Sequence, residues 1–326
     1  MQKQVLLAGD IGGTKTLLGL FDPVQARPHR LAVQAFSTLD FVDLPSMITA
    51  FLKEVGRAAG AIDTACFGLA GPVVGDSSKL TSLGWRVEGR QIASTFGIRR
   101  VLLLNDLQAM AYSVPVLHDA ELHVLQKGEA LAGGNIALIA AGTGLGEALL
   151  HNVEERLIPS PSEGGHADFA ARTDREIVLL KDLTRRYGRA EVEQVLSGRG
   201  LVNIHRALHG TRCSSGVNFE DAAAPAAISA AALADRCGGC VEALEVFVEA
   251  YGAEAGNFAL RSVSTGGVFI GGGIAPKILR ALEAGAFMRA FSAKAPFESM
   301  LGRMPVRVIL NPEAALVGAA VYAAGG

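Results

Sequence analysis

Hydrophobic and polar positions alternate in blocks that predict a mixed α/β protein. Near the start, an apolar run at 5–9 meets a glycine-rich turn and a second apolar run at 17–21, which predicts a strand, a turn and a strand. The same pattern returns at 135–150, where a Gly/Thr turn at 142–146 separates two apolar runs. Two copies of one motif suggest two related half-molecules.

The spacing of the other apolar positions predicts further elements, and strands that alternate with helices predict a helix-covered mixed sheet. Helices are predicted at 44–60, 90–96, 107–112, 174–208, 222–235, 241–261, 276–284 and 312–323. Strands are predicted at 30–37, 64–70, 100–104, 267–270 and 306–310. Residues 76–85 and 157–167 are predicted to be loops, and 197–200 to stop a helix. The final strand and helix are expected to return to the first domain.

The first turn carries residues suited to a phosphate. Gly12 and Gly13 lack a Cβ, so their N–H groups can converge on an anion, while Thr14 adds a hydroxyl and Lys15 a cation. Asp10 would repel a phosphate unless a divalent cation lay between them, which favours Mg²⁺ with a nucleotide. The alternative is a simple hairpin turn. The second turn strengthens the nucleotide interpretation, with both half-molecules facing one ligand.

Polar residues also end the strand at 100–104. Asn105 and Asp106 follow it directly and precede a helix, which is where open α/β sheets bind ligands. Capping of that helix is the structural alternative, and the two roles are compatible.

Two later segments are further candidates for a binding site. Glu163 and His166 flank a Gly-Gly step and offer the acceptors and donor that a polyol needs, and Glu193 is a candidate for the same pocket. Glu191 is an equally reasonable solvated residue. The three glycines at 271–273 form a bare backbone against which a base or ribose can lie.

Composition narrows the class of protein. The 326 residues suggest two domains, half of them are hydrophobic, and the net charge of −2 is spread without runs of like charge, so nucleic acid is not an expected partner. Neither an export signal nor a membrane span is indicated.

The four cysteines favour a reducing cytoplasm. Cys237 and Cys240 have the spacing of a metal or redox pair, but no second Cys/His pair follows them, so the sequence argues against a zinc or redox role.

Taken in order, several motifs resemble those of bacterial glucokinases over nearly the whole chain. They lie at 7–15, 68–72, 104–106, 142–146, 162–166, 195–198 and 269–274. The resemblance implies the actin-like, ribonuclease H-like ATPase fold, with a mixed five-stranded sheet in each of two α/β domains. It implies a small domain of residues 1–113 and 306–326, a large domain of residues 114–305, an active site in the cleft between them, and a cytoplasmic homodimer.

The resemblance also implies ATP-dependent phosphorylation of the 6-hydroxyl of glucose, with Mg²⁺ as cofactor. Asp106 resembles the catalytic base, Asn105 a ligand of the middle hydroxyls, and Glu163, His166 and Glu193 the ligands near the anomeric end. Asp10 is similar to the residue that meets Mg²⁺, through water. The nucleotide-binding residues that it implies are Gly12, Gly13, Thr14 and Lys15, then Thr143 and Gly144, then Gly272, Gly273 and Ile274.

Two departures from related families qualify this expectation. The ROK sugar kinases carry a Cys-rich zinc motif after the segment that matches 162–166, whereas residues 167–175 hold no cysteine here. The loop at 81–84 lacks an asparagine common in relatives, so it is left outside the expected site.

Three rival functions remain open at this level. A kinase for another hexose fits the same motifs. A sugar-responsive repressor would need a helix-turn-helix module before the first turn, and that turn begins at residue 9. An actin-like or chaperone-like ATPase would lack the sugar loop at 160–166.

Overall fold

The computed structural model describes residues 5–23, 26–80 and 83–325. Its strands are β1 Val5–Ile11, β2 Lys15–Asp22, β3 His29–Ser37, β4 Ile62–Leu69, β5 Val73–Val74, β6 Ser77–Leu80, β7 Trp85–Glu88, β8 Arg100–Asn105, β9 Leu122–Gln126, β10 Ile136–Ala141, β11 Leu145–Val153, β12 Arg156–Ser162, β13 Gly267–Gly271 and β14 Val306–Ile309. Its α-helices are α1 Leu44–Glu54, α2 Gly89–Phe96, α3 Asp106–Ser113, α4 Asp174–Tyr187, α5 Gly198–His209, α6 Ala224–Leu233, α7 Gly238–Ser262, α8 Leu279–Glu283, α9 Ala286–Ser292, α10 Glu298–Arg303 and α11 Ala314–Ala323.

The chain divides into two units. The first consists of Met1–His118 and Asn311–Gly326, and the second of Asp119–Leu310. Strand β14 therefore lies in the second unit, where it pairs in parallel with β13 and antiparallel with β9. The sequence analysis expected this strand in the first domain, but its apolar residues complete the sheet of the second unit.

The first unit contains a five-stranded sheet of order β3-β2-β1-β4-β8. Strand β1 is antiparallel to β2 and parallel to β4, which is parallel to β8. Residues of β1 and β4 are almost all buried, as expected of central strands covered on both faces.

The second unit repeats this arrangement. Its sheet has the order β12-β11-β10-β13-β14-β9, with β10 antiparallel to β11 and parallel to β13. The matching order and directions support the inference of two related halves. The expected five strands were wrong for this unit, because β9 adds a sixth at the edge. A separate three-stranded sheet, β5-β6-β7, belongs to the first unit.

Each sheet has a helical cover. In the first unit, α1 packs through Met47 and Phe51 on one face, while α3 and α11 cover the other through Ala109 and Leu316. In the second unit the long helix α7 is buried along most of its length and packs against β10. Helix α11 thus returns to the first unit, as expected.

Several predicted boundaries were wrong. Helix α1 ends at Glu54 rather than residue 60, because Gly56 takes a positive φ of 63°. The loops predicted at 76–85 and 157–167 contain β6 and β12, which pair with the neighbouring strands β7 and β11. Both strands are rich in serine or proline and lack the apolar alternation that predicts a strand. Residues 81–82 of the loop at 81–84 lie outside the described part of the chain, as do residues 1–4.

The segment 197–200 begins a helix instead of stopping one. The Ser197 side chain accepts a hydrogen bond from the Gly200 N–H at 3.0 Å and caps α5. Within residues 5–23, 26–80 and 83–325, no helix is both long enough and apolar enough to cross a membrane.

Candidate active-site residues

The turn between β1 and β2 is held by a threonine that sequence analysis did not single out. Thr38 donates from its hydroxyl to the Gly12 carbonyl at 2.9 Å, and its N–H donates to the Thr14 carbonyl at 2.9 Å. The Gly12 N–H donates to the Lys15 carbonyl at 3.1 Å, so it closes the turn rather than converging on an anion as expected. A Cβ at Gly12 would lie 2.7 Å from that carbonyl oxygen, which explains the glycine.

Two acids of the first unit influence each other. Asp10 is partly buried on β1, and this burial, together with the negative charge of Asp106, raises its pKa to about 6. The positive charge of Lys15 acts in the opposite direction. The structure thus brings Asp106 near Asp10 and Lys15, which the sequence analysis had selected from a different segment. Their arrangement favours neutralisation of the Asp10 carboxylate by a proton or a cation.

Asn105 and Asp106 lie where β8 becomes α3. The Asn105 Oδ1 accepts from the N–H groups of Leu107 and Gln108 at 3.0 and 3.4 Å, so Asn105 caps the helix. Its Nδ2 donates to the Gly71 carbonyl at 3.4 Å. Asp106 is the first helical residue, and its Oδ1 accepts from the Leu107 N–H at 2.8 Å. The positive end of α3 therefore favours the ionised Asp106 carboxylate.

In the second unit, the turn between β10 and β11 lies against Glu193. The Glu193 Oε2 accepts from the Leu145 N–H at 2.9 Å, and a Cβ at Gly144 would lie 2.5 Å from the same oxygen. The Gly198 N–H, at the start of α5, donates to the Gly142 carbonyl at 2.9 Å. This turn is thus fixed by two later segments of the chain.

The glycine segment after β13 approaches the same turn. Gly272 has a φ of 83°, and a Cβ there would lie 2.3 Å from the Ala141 carbonyl oxygen. The Ile274 N–H donates to that carbonyl at 3.2 Å. Gly273 is exposed between them, and nothing lies within 4 Å of the position that a Cβ would take there. Open space at Gly273 leaves the bare backbone accessible to a flat ligand.

The loop after β12 brings Glu163 and His166 close to Glu191. The His166 Nδ1 lies 2.8 Å from the Glu191 Oε2, and the His166 N–H donates to the Glu163 carbonyl at 3.0 Å. The hydrogen bond to Glu191 raises the pKa of His166, and the charges of Glu193, Glu191 and Glu163 act in the same direction. The same hydrogen bond lowers the pKa of Glu191. Glu191 is therefore a partner of this loop that the sequence left as a solvated residue.

The Gly-Gly step in this loop is required by close packing on β11. A Cβ at Gly165 would lie 2.2 Å from the Leu145 carbonyl oxygen, and one at Gly164 would lie 2.1 Å from the Glu147 Oε2. The two glycines let Glu163 and His166 stay exposed above a strand that no larger residue could approach so closely.

A cavity of about 1220 Å³ in the second unit collects several of these segments. Thr143, Glu193 and Ile274, all selected from the sequence, line it. The start of α5 also lines it, and a helix N-terminus attracts anions. Lining side chains that sequence analysis missed include Ser197, Arg199 and Lys277. The Ser-Gly-Arg-Gly run at 197–200 carried the signal for this helix start.

Comparison with known proteins identifies the family of this chain. The chain matches the family model described as Glucokinase over residues 7–325. A curated glucokinase from Synechocystis sp. is 39% identical over 345 residues, which cover 98% of this chain and 97% of the relative. A crystal structure of a glucokinase from an Antarctic psychrotroph superposes with a TM-score of 0.85 at 30% identity and covers 99% of both chains.

A more distant neighbour shares the fold. The crystal structure of a ROK family glucokinase from Streptomyces griseus, in complex with glucose and AMPPNP, has a TM-score of 0.66 at 20% identity and covers 99% of this chain and 100% of the neighbour. The family match and the close relative extend over nearly the full length. The chain belongs to the glucokinase family of ATP-dependent sugar kinases.

Proposed function

We propose that the chain transfers the γ-phosphoryl group of ATP to the 6-hydroxyl of glucose, with Asp106 as the base. The single observation that carries the role of Asp106 is its position at the first turn of α3, directly after β8 and close enough to Asp10 to raise the pKa of that acid. The curated relative of this chain from Synechocystis sp. is a glucokinase, and the Streptomyces griseus neighbour was crystallised in complex with glucose and AMPPNP.

Asp106 accepts the proton of the 6-hydroxyl while it holds the oxygen in line with the phosphoryl group. A primary alcohol is a weak acid, but the transition state of phosphoryl transfer is loose, so alignment and charge neutralisation are the main demands. The ionised form that this role requires is favoured by the Leu107 N–H and by the N-terminus of α3.

The sugar ligands of the proposal are Asn105, Glu163, His166 and Glu193. Because the Asn105 Oδ1 is used in the helix cap, its Nδ2 is the atom that we assign to a sugar hydroxyl. His166 and Glu163 lie on one exposed loop and offer donors and acceptors for the hydroxyls near the anomeric carbon.

The cavity of the second unit is the proposed site of the adenosine and of part of the phosphate chain. Thr143, Ile274 and Lys277 line it beside the N-terminus of α5, which supplies a positive end dipole for phosphate oxygens. Gly144 shapes the turn, and Gly272 and Gly273 provide the bare backbone. In the first unit, Gly13, Thr14 and Lys15 belong to the proposed first phosphate loop, whose turn is closed by the Gly12 N–H.

Mg²⁺ is the proposed cofactor, and the residues present fit it. A carboxylate whose pKa is raised to about 6 by burial and by a second acid is stabilised by a divalent cation, and oxygen ligands are those that Mg²⁺ prefers. Asp10 would hold the ion, through water, and the bound ion would neutralise phosphate charge. A cytoplasmic homodimer, with Met1–His118 and Asn311–Gly326 as the small domain and Asp119–Leu310 as the large one, completes the proposal.

The sugar specificity is tested with purified enzyme, MgATP and a panel of glucose, fructose, mannose and N-acetylglucosamine in a coupled assay for ADP release. We expect the highest kcat/KM with glucose. A higher value with another sugar would assign the chain to that hexose instead.

The role of Asp106 is tested by Asp106→Asn. We expect kcat to fall by about 10²–10⁴-fold, because the variant cannot accept the hydroxyl proton, while the protein stays folded and still binds nucleotide. Asp40→Asn, which changes an exposed aspartate of the same unit, serves as the control and should retain full activity. Near-normal kcat in Asp106→Asn would refute the assignment of the base.

A further inference from the structure

Four side chains with metal-binding atoms converge in the second unit, and none of them is among the candidate active-site residues. They are His205, Cys213, Cys237 and Cys240, and their candidate ligand atoms all lie within 4.8 Å of one another. His205 belongs to α5, Cys213 to the loop that follows it, and Cys237 caps the start of α7, one turn before Cys240. The fold therefore gathers residues from three segments at one point.

The distances between the sulfur atoms suit a tetrahedral metal. The Cys213 Sγ lies 3.6 Å from the Cys237 Sγ and 3.5 Å from the Cys240 Sγ. Zinc–sulfur bonds of about 2.3 Å in a tetrahedron place sulfur atoms roughly 3.8 Å apart. A disulfide would require about 2.05 Å, and all four cysteines are free thiols.

His205 supplies the observation that points to a ligand. Its side chain is fully buried, its Nδ1 lies 3.3 Å from the Gly210 carbonyl oxygen, and its Nε2 has no hydrogen-bond partner within the described structure. The carbonyl fixes the proton on Nδ1, which leaves the Nε2 lone pair for a metal. A buried imidazole nitrogen without a partner is costly, so a bound cation would satisfy it.

Gly239, between the two cysteines of α7, leaves room for this arrangement. A Cβ there would lie 3.2 Å from the His205 Nε2 and 3.1 Å from the His209 ring. The Nε2 of the neighbouring His209 lies 2.8 Å from the Glu242 Oε2, so this nitrogen has a partner of its own on α7. The glycine lets α5 and α7 approach closely at the position of the four ligands.

We propose that this chain binds one structural Zn²⁺ through His205, Cys213, Cys237 and Cys240. Three thiolates and one neutral imidazole form a complete tetrahedral set, so no coordination position remains for a substrate, as in structural rather than catalytic zinc sites. No Cys/His pair follows Cys240 in the sequence, but the other two ligands, His205 and Cys213, precede Cys237 in the chain. The site also differs in position from the Cys-rich segment of ROK kinases that residues 167–175 lack.

The zinc would anchor one wall of the large cavity. The chain between Cys213 and Cys237 supplies Phe219, Glu220 and Pro225 to the cavity lining, and α5 supplies Arg206. Zinc would fix both ends of this segment against α5 and α7. If the cavity binds ATP as proposed above, zinc removal should raise the KM for ATP, but the zinc content itself is independent of that function.

The site is tested by metal analysis of the full chain, purified with a reductant and without a chelator. We expect about one zinc per chain in wild type, and near zero in Cys240→Ser and His205→Ala. Cys66→Ala is the matched control, because Cys66 is a buried thiol of the first unit, and this variant should keep its zinc. Equal zinc in all four proteins, or none in wild type, would overturn the proposal.

A second measurement on wild type guards against variants that do not fold. Modification of the thiols with a mercurial should release one zinc per chain, detected with a metallochromic dye. Separately, metal-free reduced protein titrated with ZnCl₂ should gain on the order of 10 °C in thermal midpoint, with a break at one equivalent. A flat titration together with no released zinc would show that the cluster is only a packed group of thiols.

Discussion

The imidazole of His166 is held by Glu191, and this contact sets its charge. The Nδ1–Oε2 distance of 2.8 Å and the raised pKa of His166 mean that the cationic imidazolium extends to higher pH in the folded protein than in an unfolded chain. Stability from this pair is present in full below the unfolded pKa near 6.5 and is lost as pH rises through the folded value. The His166 side chain is about half exposed, so solvent screens the ion pair and its contribution to stability is small. The effect of this pair on ligand binding is therefore easier to measure than its effect on stability.

Replacement of Glu191 by Gln should lower the pKa of His166, because the largest cause of the raised pKa is removed. We expect the imidazole resonance of His166 to titrate at lower pH in an NMR titration. If His166 contacts glucose, the pH at which the KM for glucose changes should move in the same direction.

The matched control for this prediction is Glu283→Gln, which removes the acid of another His–Glu pair of the second unit. There the His123 Nε2 lies 2.9 Å from the Glu283 Oε1. This variant should leave the titration of His166 and the KM for glucose as in wild type. An unchanged His166 titration in Glu191→Gln would contradict the assigned cause.

At the scale of single residues, candidate site residues next to strand ends could be selected from the sequence, but the residues that hydrogen-bond to the site could not. Asp106 and Asn105 were selected because polar residues at the end of an apolar strand have a local signal. Thr38, which holds the Gly12 turn, and Glu191, which pairs with His166, lie about 25 residues from their partners and leave no such signal.

Helix α11 illustrates how one element depends on a single glycine. It packs against α3 so closely that a Cβ at Gly318 would lie 1.8 Å from the Ala109 carbonyl oxygen and 2.8 Å from the Ser113 nitrogen. Since both atoms belong to a helix backbone, they cannot move aside as a flexible side chain could. The approach of these helices therefore requires glycine at this position.

Gly318→Ala should destabilise the protein by about 3 kcal/mol or more, because overpacking forces two helices apart. Gly302→Ala is the control, since nothing lies within 4 Å of the Cβ position at this glycine of α10. There we expect a gain of roughly 0.5–1 kcal/mol from the better helix propensity of alanine. Urea unfolding of both variants measures the difference, and equal stability would contradict the packing argument.

At the scale of elements, apolar runs on each side of a turn were predictable, whereas the strands β6 and β12, which contain mainly polar residues or proline, were not. Both glycine hairpins follow directly from apolar runs on each side of a turn. The segment 197–200 was interpreted as a helix end because serine and glycine occur at both termini, and only its hydrogen bonds identify it as a start. Because of this wrong interpretation, the N-terminus of α5, which lines the cavity, was not predicted from the sequence.

At the scale of the whole chain, each unit contains an acid that folding disfavours in its ionised form. In the first unit, burial and Asp106 raise the pKa of Asp10 to about 6. In the second unit, burial and the charge of Glu254 raise the pKa of Glu147 to about 7. The Glu147 Oε1 has no hydrogen-bond partner within the described structure.

The proposed zinc site also depends on residues that are far apart in sequence. His205 on α5 and Cys240 on α7 are separated by more than 30 residues.

Asp10 and Glu147 make stability depend on pH with a definite sign. Below about pH 3 both are largely protonated in the folded and the unfolded chain, so neither contributes. As pH rises, the unfolded chain loses its protons first, and the folded state is penalised increasingly until pH passes 6 for Asp10 and 7 for Glu147. The penalty for Asp10 is on the order of 3 kcal/mol above that window.

Without added Mg²⁺ or nucleotide, the thermal midpoint of the wild type should therefore fall between pH 5 and pH 8. We expect this fall to be several degrees larger than in Asp10→Asn or Glu147→Gln. The effects of the two substitutions should add, because Asp10 interacts with Asp106 and Lys15 whereas Glu147 interacts with Glu254 and Arg261. Asp10→Asn should also lose Mg²⁺-dependent activity while it gains stability at pH 8, as expected where a functional carboxylate is kept at a cost. Asp40→Asn should follow the wild-type curve, and a parallel curve for the double variant would show that neither carboxyl is disfavoured by folding.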